Sequence, residues 1–463
     1  MRPVWLVGLI LVSQALLGCT AAEPRPPNVL IILTDDQGTL DVNCYGSTDL
    51  YTPHMDRLAA EGVRFTQAYA HTVCCPTRAA LMTGRHPQRS GVNSWTQNDM
   101  KGEPGVNMAL AEVTLAEALR DAGYRTALFG KWHLGAAETH GPTKQGFDTF
   151  FGHRGGFIDN YNHHFLHGKG FHDLYEATTK VFKRDQYFPD LMTQRTLDYI
   201  EQHKDEPFFV FYSMNIPHYP EQSDPKFDER YKNMPMPRRS YAKMVSTTDD
   251  RIGQVLAKLD ELNLTDDTII VFMSDNGHSE ENNRGIRFDD HTSGLPKGHY
   301  YLAHGGGGNT GKWRGSKGTF YEGGIRVPMM IRYPKWIDGG LVRDDIVSAM
   351  DIMPTVLNIS GVDLPGGVGF DGQSLVPMIT IGVPNNRKVM HWQWQTRWAV
   401  RADDWKLIGD AEKSVELVNL AEANPEQKDH LADQPAIAKQ LLARHRAWLA
   451  EVTPKASDRS GGQ

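Results

Sequence analysis

The chain has 463 residues, 40% of them hydrophobic, with 49 Lys and Arg against 56 Asp and Glu and a formal charge of −7. That length supports a large buried core, and the acidic balance, with a pI near 6.3, excludes nucleic acid as the main partner. Mean hydropathy is −0.47, and no internal apolar run is long enough to span a membrane.

The N-terminus reads differently from the rest. Arg2 precedes an apolar stretch, Val4 to Leu17, closed by Leu16-Leu17-Gly18-Cys19. This is the pattern of an export signal rather than a helix of the fold, and Leu-Leu-Gly-Cys resembles a bacterial lipobox, in which the Cys is lipidated. The expectation is a lipoprotein-type signal peptide over 1–18 and a polar, Pro-containing linker over 19–27. The protein is then exported, periplasmic or on the cell surface, and meets the membrane only through a lipid anchor at Cys19. An ordinary signal cut nearby is the other reading. The remaining cysteines are Cys44, Cys74 and Cys75. Stability therefore does not rest on a disulfide framework, although Cys44 and Cys75 could pair in an oxidising compartment.

Asn28 to Thr34 is a continuous apolar run, the mark of a strand buried on both faces. It stops at Asp35-Asp36-Gln37-Gly38, two carboxylates that need a positive neighbour if buried. Thr52 to Gly62 reads as a short helix. Cys74-Cys75-Pro76-Thr77-Arg78 then opens another, with Pro76 near its start and Gly84 at its C-terminal cap. Cys74 falls at the helix N-terminus, where anions are favoured, and Arg78 lies one turn on. Thr114 and Glu117 form a capping box for a helix running to Gly123. A strand from Arg125 to Phe129 ends in Gly130-Lys131-Trp132-His133, and in extended chain Lys131 and His133 point the same way.

Pro142 to Asp190, rich in Gly, aromatics and His (His153, His163, His164, His167, His172), reads as long loops bearing recognition residues; these His lack metal-ligand spacing. Leu191 to His203 is helical. Pro207 to Ser213 is a second buried strand, and beyond it Pro217 and Pro220 stiffen the loop that carries His218. Ser240 to Leu262 is a long helix. Thr268 to Ser274 is a further buried strand that ends in Asp275-Asn276-Gly277-His278. Gly305 to Gly308 and Lys312 to Thr319 form a Gly-rich, cationic loop suited to an anion, followed by a strand, Met329 to Tyr333. His391 to Arg401, Lys406 to Ile408 and Val415 to Val418 are strand-like, and Ala436 to Val452 is a last amphipathic helix.

Strands alternating with helices imply an α/β fold: a large, mostly parallel (mixed) sheet flanked by helices over 28–384. A small antiparallel subdomain with a closing helix follows over 385–463. A parallel sheet puts Asp35 and Asp36, Lys131 and His133, His218, and Asp275 and Asn276 on one edge, where ligands of such sheets bind.

Cys74-x-Pro76-x-Arg78 with Thr83-Gly84-Arg85 behind it resembles the signature of the type I sulfatases, the formylglycine-dependent family of the alkaline phosphatase superfamily. Asp35-Asp36-Gln37-Gly38, Gly130-Lys131-Trp132-His133, Pro217-His218, Asp275-Asn276-Gly277 and Gly315-Ser316-Lys317-Gly318-Thr319 fit its other blocks in order. Glu416 to Leu420 with Asn424-Pro425-Glu426 resembles its C-terminal segment. Cys75 departs from the small residue, more often Ser, expected there.

The resemblance implies a sulfuric ester hydrolase that takes sulfate from a sulfated carbohydrate or another small sulfate ester. Cys74 becomes formylglycine through a maturase. Asp35, Asp36, Asp275 and Asn276, with residue 74, bind Ca2+, as hard oxygen donors suit. Arg78 holds the formylglycine, Lys131 and Lys317 bind sulfate oxygens, His133 is the base that helps expel sulfate, and His218 is the acid for the leaving alcohol, with Lys317 its rival. Trp392, Trp394, Trp398 and the His-rich loops could stack on sugar faces. The alternative is a phosphodiesterase or phosphonate monoester hydrolase on the same fold. A zinc phosphatase would need more His and Asp ligands around a Ser or Thr, and a non-catalytic sugar-binding lipoprotein would have no use for these groups.

Co-expression with a formylglycine-generating maturase should convert Cys74. Mass spectrometry of the peptide around residue 74 should find the aldehyde there, and an aldehyde at Cys75 instead would overturn the register set by Pro76.

Overall fold

The computed structural model describes residues 25–96, 106–167, 170–282 and 302–453. The expected signal peptide, Cys19 and most of the linker lie outside the described residues. In chain order, β1 (Asn28–Asp35), α1 (Pro53–Ala60), β2 (Val63–Tyr69) and α2 (Cys74–Thr83) come first. α3 (Leu115–Asp121), opened by the expected Thr114–Glu117 capping box, precedes β3 (Arg125–Lys131) and β4 (Thr149–His153). Four two-residue strands, β5 to β8, are His164–Phe165, Phe171–His172, Tyr175–Glu176 and Thr179–Lys180. α4 (Phe188–Gln202), β9 (Phe208–Pro217), α5 (Asp228–Tyr231), α6 (Arg238–Glu261) and β10 (Thr268–Ser274) follow. Next are α7 (Glu322–Ile325), β11 (Met329–Arg332), β12 (Leu341–Ser348), α8 (Ile352–Ser360) and α9 (Val376–Ile381).

Ten strands form one sheet in the order β12-β2-β11-β10-β1-β9-β3-β4-β7-β8. β1 is buried at every position. Its alternation feeds two cores, Val29, Ile31 and Leu33 on one face and Leu30 and Ile32 on the other. Each such side chain removed from water contributes roughly 1.5–3 kcal/mol, so this strand belongs at the centre, where it runs parallel to both β10 and β9. β3 is parallel to β9 and β4, and β2 is parallel to β12. β11 is antiparallel to β10 and β2. The carboxyl ends of β1, β2, β3, β9 and β10 therefore share one edge, and β11 starts there, which brings the segment before it over the same edge.

The structure corrects the expected elements in three places. The stretch from Pro142 to Asp190 contributes β4 to the main sheet and β7 and β8 to its margin, so it is not loop alone. β2, β12 and α8 have no counterpart in the sequence reading. His391 to Arg401 is two strands, not one. With β15 (Trp405–Asp410) and β16 (Lys413–Asn419), the hairpin β13 (Val389–Trp394) and β14 (Arg397–Ala402) forms a separate four-stranded antiparallel sheet. α10 (Pro435–Val452) closes it. Cys44 and Cys75 are free thiols, not a disulfide. No helix among the described residues is long and apolar enough to cross a membrane.

The three tryptophans offered as sugar platforms are core residues: Trp392, Trp394 and Trp398 are only 1–3% exposed. Trp392 Nε1 donates to Ala70 O at 2.9 Å and Trp398 Nε1 to Ala411 O at 2.8 Å, so their polar ends are already satisfied. Trp398 also stacks on His445, 4.3 Å between ring centres, and His391 stacks on Trp448 at 4.8 Å.

His445 joins α10 to the small sheet as a neutral ring. Burial pushes its pKa from the ordinary 6.5 to about 4, and both ring nitrogens lack partners among the described residues. The unfolded chain takes the proton near pH 6.5 while the folded ring resists until about pH 4, so stability is full above pH 6.5 and falls through that window. Thermal unfolding should show stability declining as the pH falls from 6.5 towards 4, with this ring contributing to the loss. His445→Phe should flatten the drop between pH 7 and 4, and an equally steep drop would remove His445 from the account.

Candidate active site

Residue 74 begins α2 rather than standing before it. The helix starts two residues ahead of Pro76, with Val73 as an N-cap that offers no side-chain bond, and every residue from Cys74 to Thr83 is buried. Pro76 lacks an N–H at one of the first four positions, where none is used by the helix. Gly84 ends it with φ 64°. Cys74 is 2% exposed, and its Sγ lies 3.4 Å from Asp35 Oδ1. Burial first, then Asp275 and Asp35, hold the thiol well above the ordinary range, so an unmodified Cys74 is a protonated, weak nucleophile.

Asp35 ends β1, and Asp36 turns the chain at φ 62°, a left-handed conformation that costs a non-glycine residue about 1 kcal/mol or more. Asp275 and Asn276 follow β10. Ligand atoms of Asp35, Asp36, Cys74 and Asp275 all lie within 4.8 Å of one another. Asn276 Nδ2 donates to Asp36 Oδ1 at 2.6 Å. Gly277 allows the turn to pack, since a Cβ there would sit 1.8 Å from Gly323 O.

Three cations meet these carboxylates. Arg78 donates through Nε and Nη2 to Asp275 Oδ2 at 3.0 and 2.8 Å, and through Nη1 to Lys131 O and Ser213 Oγ at 2.9 and 2.5 Å. Its hydrogen bonds fix Asp275 and the sheet edge, a role that the spacing to Cys74 did not suggest. Lys131 Nζ lies 2.6 Å from Asp35 Oδ2, both fully buried. Lys317 Nζ lies 2.9 Å from Asp36 Oδ2.

His133 does not share the extended alternation with Lys131: β3 stops at Lys131, and His133 is left-handed at φ 57°. Its ring stacks on Trp95, 6.2 Å away and 12° from parallel. Burial, then Lys131 and Arg78, hold it well below its ordinary pKa. His218 follows β9, where the register shift that pairs Asp35 with Pro217 sets it beside the carboxylates. Its Nε2 is 3.5 Å from Asp36 Oδ2. Its Nδ1 is 2.5 Å from the Tyr219 carbonyl, which only accepts, so Nδ1 carries a proton. Burial, then Lys317 and Lys131, push its pKa well down.

The structure thus gathers Asp35, Asp36, Cys74, Arg78, Lys131, His133, His218, Asp275, Asn276 and Lys317 at one edge. From the Gly-rich stretch only Lys317 reaches it. Gly308 instead packs on His278, where a Cβ would sit 2.1 Å from the ring, Lys312 covers Trp313, and Arg314 pairs with Glu416 at 2.6 Å. The His-rich segment supplies no metal cluster among the described residues. His163 and His172 bond the carbonyls of Gln186 and Val181. Sequence reasoning missed Glu281, 3.1 Å from Lys317 Nζ, and Trp95; an acid six residues past Asp275 and an isolated Trp carry no local signal.

Residues 27–362 match the family described as Sulfatase, and residues 312–452 match N-sulphoglucosamine sulphohydrolase, C-terminal. The chain belongs to the sulfatase family. That places this sulfatase among the sulfuric ester hydrolases of the alkaline phosphatase superfamily. It is 30% identical to the N-acetylgalactosamine-6-sulfatase of Sus scrofa over 417 residues, covering 86% of this chain and 74% of that one. Against the steryl-sulfatase of Mus musculus it is 33% identical over 436 residues, covering 77% of this chain and 65% of the longer relative. The crystal structure of Ps i-CgsB in complex with k-i-k-neocarrahexaose superposes with a TM-score of 0.78 at 27% identity, covering 92% and 93% of the two chains. A phosphonate monoester hydrolase of Agrobacterium radiobacter shares the fold at 19% identity, TM-score 0.65, over 92% and 96% of the chains.

The sulfatase's own donors fit a hard divalent cation. Three carboxylates and an amide oxygen are the chemistry that calcium takes. Asn276 Oδ1 is buried without a hydrogen-bond partner among the described residues, an expensive state unless a cation uses it. Burial, then Asp275, raises the Asp35 pKa to about 7 against the pull of Lys131, so a further cation at this carboxylate would favour its charged form.

Calorimetric titration with calcium should show one bound ion and a raised melting temperature. Asp36→Asn should weaken that binding at least about tenfold. Asp275→Ala should also strip Arg78 of its buried partner and destabilise the fold by about 3–5 kcal/mol. A wild-type protein that binds no calcium would overturn the assignment.

Proposed function

We propose that this sulfatase removes sulfate from a sulfated carbohydrate, using a formylglycine made from Cys74 by a maturase and one calcium ion. The observation that carries the reading is the convergence of residue 74, at a helix N-terminus, with Asp35, Asp36, Asp275 and Asn276 and the cations of Arg78, Lys131 and Lys317. Formylglycine would supply, as its hydrate, the nucleophilic hydroxyl that a buried thiol is not, and calcium would offset the carboxylates and the charge of the sulfate.

The chain's own residues do the rest. Lys131 and Lys317 hold sulfate oxygens as point charges. Arg78 anchors Asp275 to α2, β3 and β9, so residue 74 and the metal ligands keep their spacing. His133 is held neutral, the state a base needs to take a proton at residue 74. His218 offers Nε2 toward the leaving oxygen. A bound sulfate anion between Lys131 and Lys317 offsets the cations that discourage its protonation, which lets it act as the acid.

A carbohydrate substrate is supported by relatives: one is named for a sugar sulfate, and another was solved with k-i-k-neocarrahexaose. Export as a lipoprotein through residues 1–18 and Cys19 is part of the same proposal and rests on the sequence pattern alone.

Because the fold also carries phosphonate monoester hydrolysis, the deciding test sets one ester against the other. The matured enzyme should release sulfate from a sulfated sugar far faster than phosphate from the matching phosphate; the reverse preference would overturn the reading. His218→Ala should reduce turnover of sulfated sugars by about 10²–10⁴-fold and that of activated aryl sulfates far less, because only the former need a proton at the leaving oxygen. Equal losses on both would pass the acid's role to Lys317.

A further inference from the structure

Glu281 belongs to no block of the family resemblance, yet it stands in the site. Its carboxylate, with Asp36 and His218, forms a group whose ligand atoms all lie within 4.8 Å of one another. Oε2 accepts from Lys317 Nζ at 3.1 Å and from Ser279 Oγ at 3.0 Å, and Oε1 accepts from Tyr219 Oη at 3.3 Å. Lys317 Nζ bridges Glu281 and Asp36, at 3.1 and 2.9 Å. Unlike Asp36, which is 1% exposed, the Glu281 side chain is 46% exposed.

A carboxylate has acceptor capacity for about four hydrogen bonds. Three donors hold this one in place, and its side chain stays about half exposed. A sulfate held by Lys317 would therefore have a fixed negative acceptor next to it, one with room for a further donor.

We propose that Glu281 selects the substrate's neighbouring group: it accepts a hydrogen bond from a hydroxyl on the carbon adjacent to the sulfated carbon and repels a second anion there. The inference rests on the sulfatase reading and narrows its substrate class to sugars with a free hydroxyl beside the scissile sulfate, against vicinal disulfates and vicinal sulfate–carboxylate pairs. Glu281 is a specificity residue and takes no part in bond making.

The test compares, with matured enzyme, one monosaccharide sulfate, the same sugar with the adjacent hydroxyl also sulfated, and 4-nitrophenyl sulfate, which has no such hydroxyl. Wild type should favour the monosulfate over the disulfate by at least about tenfold in kcat/KM, since a hydrogen bond to a charged acceptor and like-charge repulsion are each worth an order of magnitude or more. Glu281→Gln keeps length and an acceptor oxygen but drops the charge, and should shrink that preference at least fivefold, mostly through KM on the disulfate. The ratio is taken on one preparation, so differences in folding or maturation cancel. If Glu281→Gln slows both sugars alike and leaves the preference intact, the residue only steadies Lys317 and the proposal fails. If wild type turns over the aryl sulfate but does not discriminate between the sugars, the proposal fails while the sulfatase reading stands. Silence on all three substrates overturns that reading and this inference together.

Discussion

The Arg78–Asp275 pair is the interaction on which the rest of the site depends. Both side chains are fully buried, and taking such a pair out of water is repaid only when geometry is good and the leftover hydrogen-bonding groups are met. Here they are met by Lys131 O and Ser213 Oγ. Ser213 Oγ also lies 2.6 Å from Lys131 O, and Thr77, one residue before Arg78, donates to Asp275 O at 2.6 Å. One guanidinium thus fastens the helix bearing residue 74 to the ends of β3, β9 and β10. Breaking the ion pair would leave a charge stranded in the interior, which locks the spacing between residue 74, Lys131 and the carboxylates.

The small C-terminal sheet acts on the site through a second buried charge. Lys406 of β15 is unexposed and lies 2.9 Å from Glu322 and 2.6 Å from Glu426. Glu426 in turn accepts from the backbone N–H of Glu322 and of Arg314, and Tyr69 at the end of β2 donates to Glu322 at 2.7 Å. Arg314 and Glu322 bracket the segment that presents Lys317, and β2 leads into α2. The subdomain therefore clamps both the loop with the outer lysine and the strand that delivers residue 74.

How much of this could be read from the sequence follows from what burial does to composition. β1, β9 and β10 are buried on both faces, so they are continuous apolar runs and visible. β2 alternates, with Arg64 and Thr66 partly exposed. β12 is an edge strand carrying Arg343, Asp344 and Asp345, and it reads as loop. β4 is short and contains Gly152, whose missing Cβ is what lets it approach Gly130 O. The chemistry-bearing residues were legible because each follows a visible strand or sits in a distinctive motif. The Trp residues of β13 and β14 misled because an aromatic run looks the same in a core as at a binding face; only lost exposure, and for Trp392 and Trp398 a satisfied indole N–H, tells them apart. Glu281 was hidden because its meaning comes from Lys317, a residue 36 positions away.

Charge balance then links the site to its ester. In the resting site, with every carboxylate ionised and His133 and His218 neutral, Asp35, Asp36, Asp275 and Glu281 bring four negative charges and Arg78, Lys131 and Lys317 three positive ones, so a divalent ion would leave one net positive charge for an arriving anion, before His218 takes up the proton it needs as acid. A sulfate monoester carries a single negative charge and meets that balance. A phosphate monoester dianion would leave the site a charge short, the deficit that a second metal ion makes good in phosphatases. Glu281 enters that count, since without it the resting net would be two. A residue outside the family's motifs, placed on the outer lysine, thus tempers the positive charge that meets the ester, a difference of site built on a shared fold.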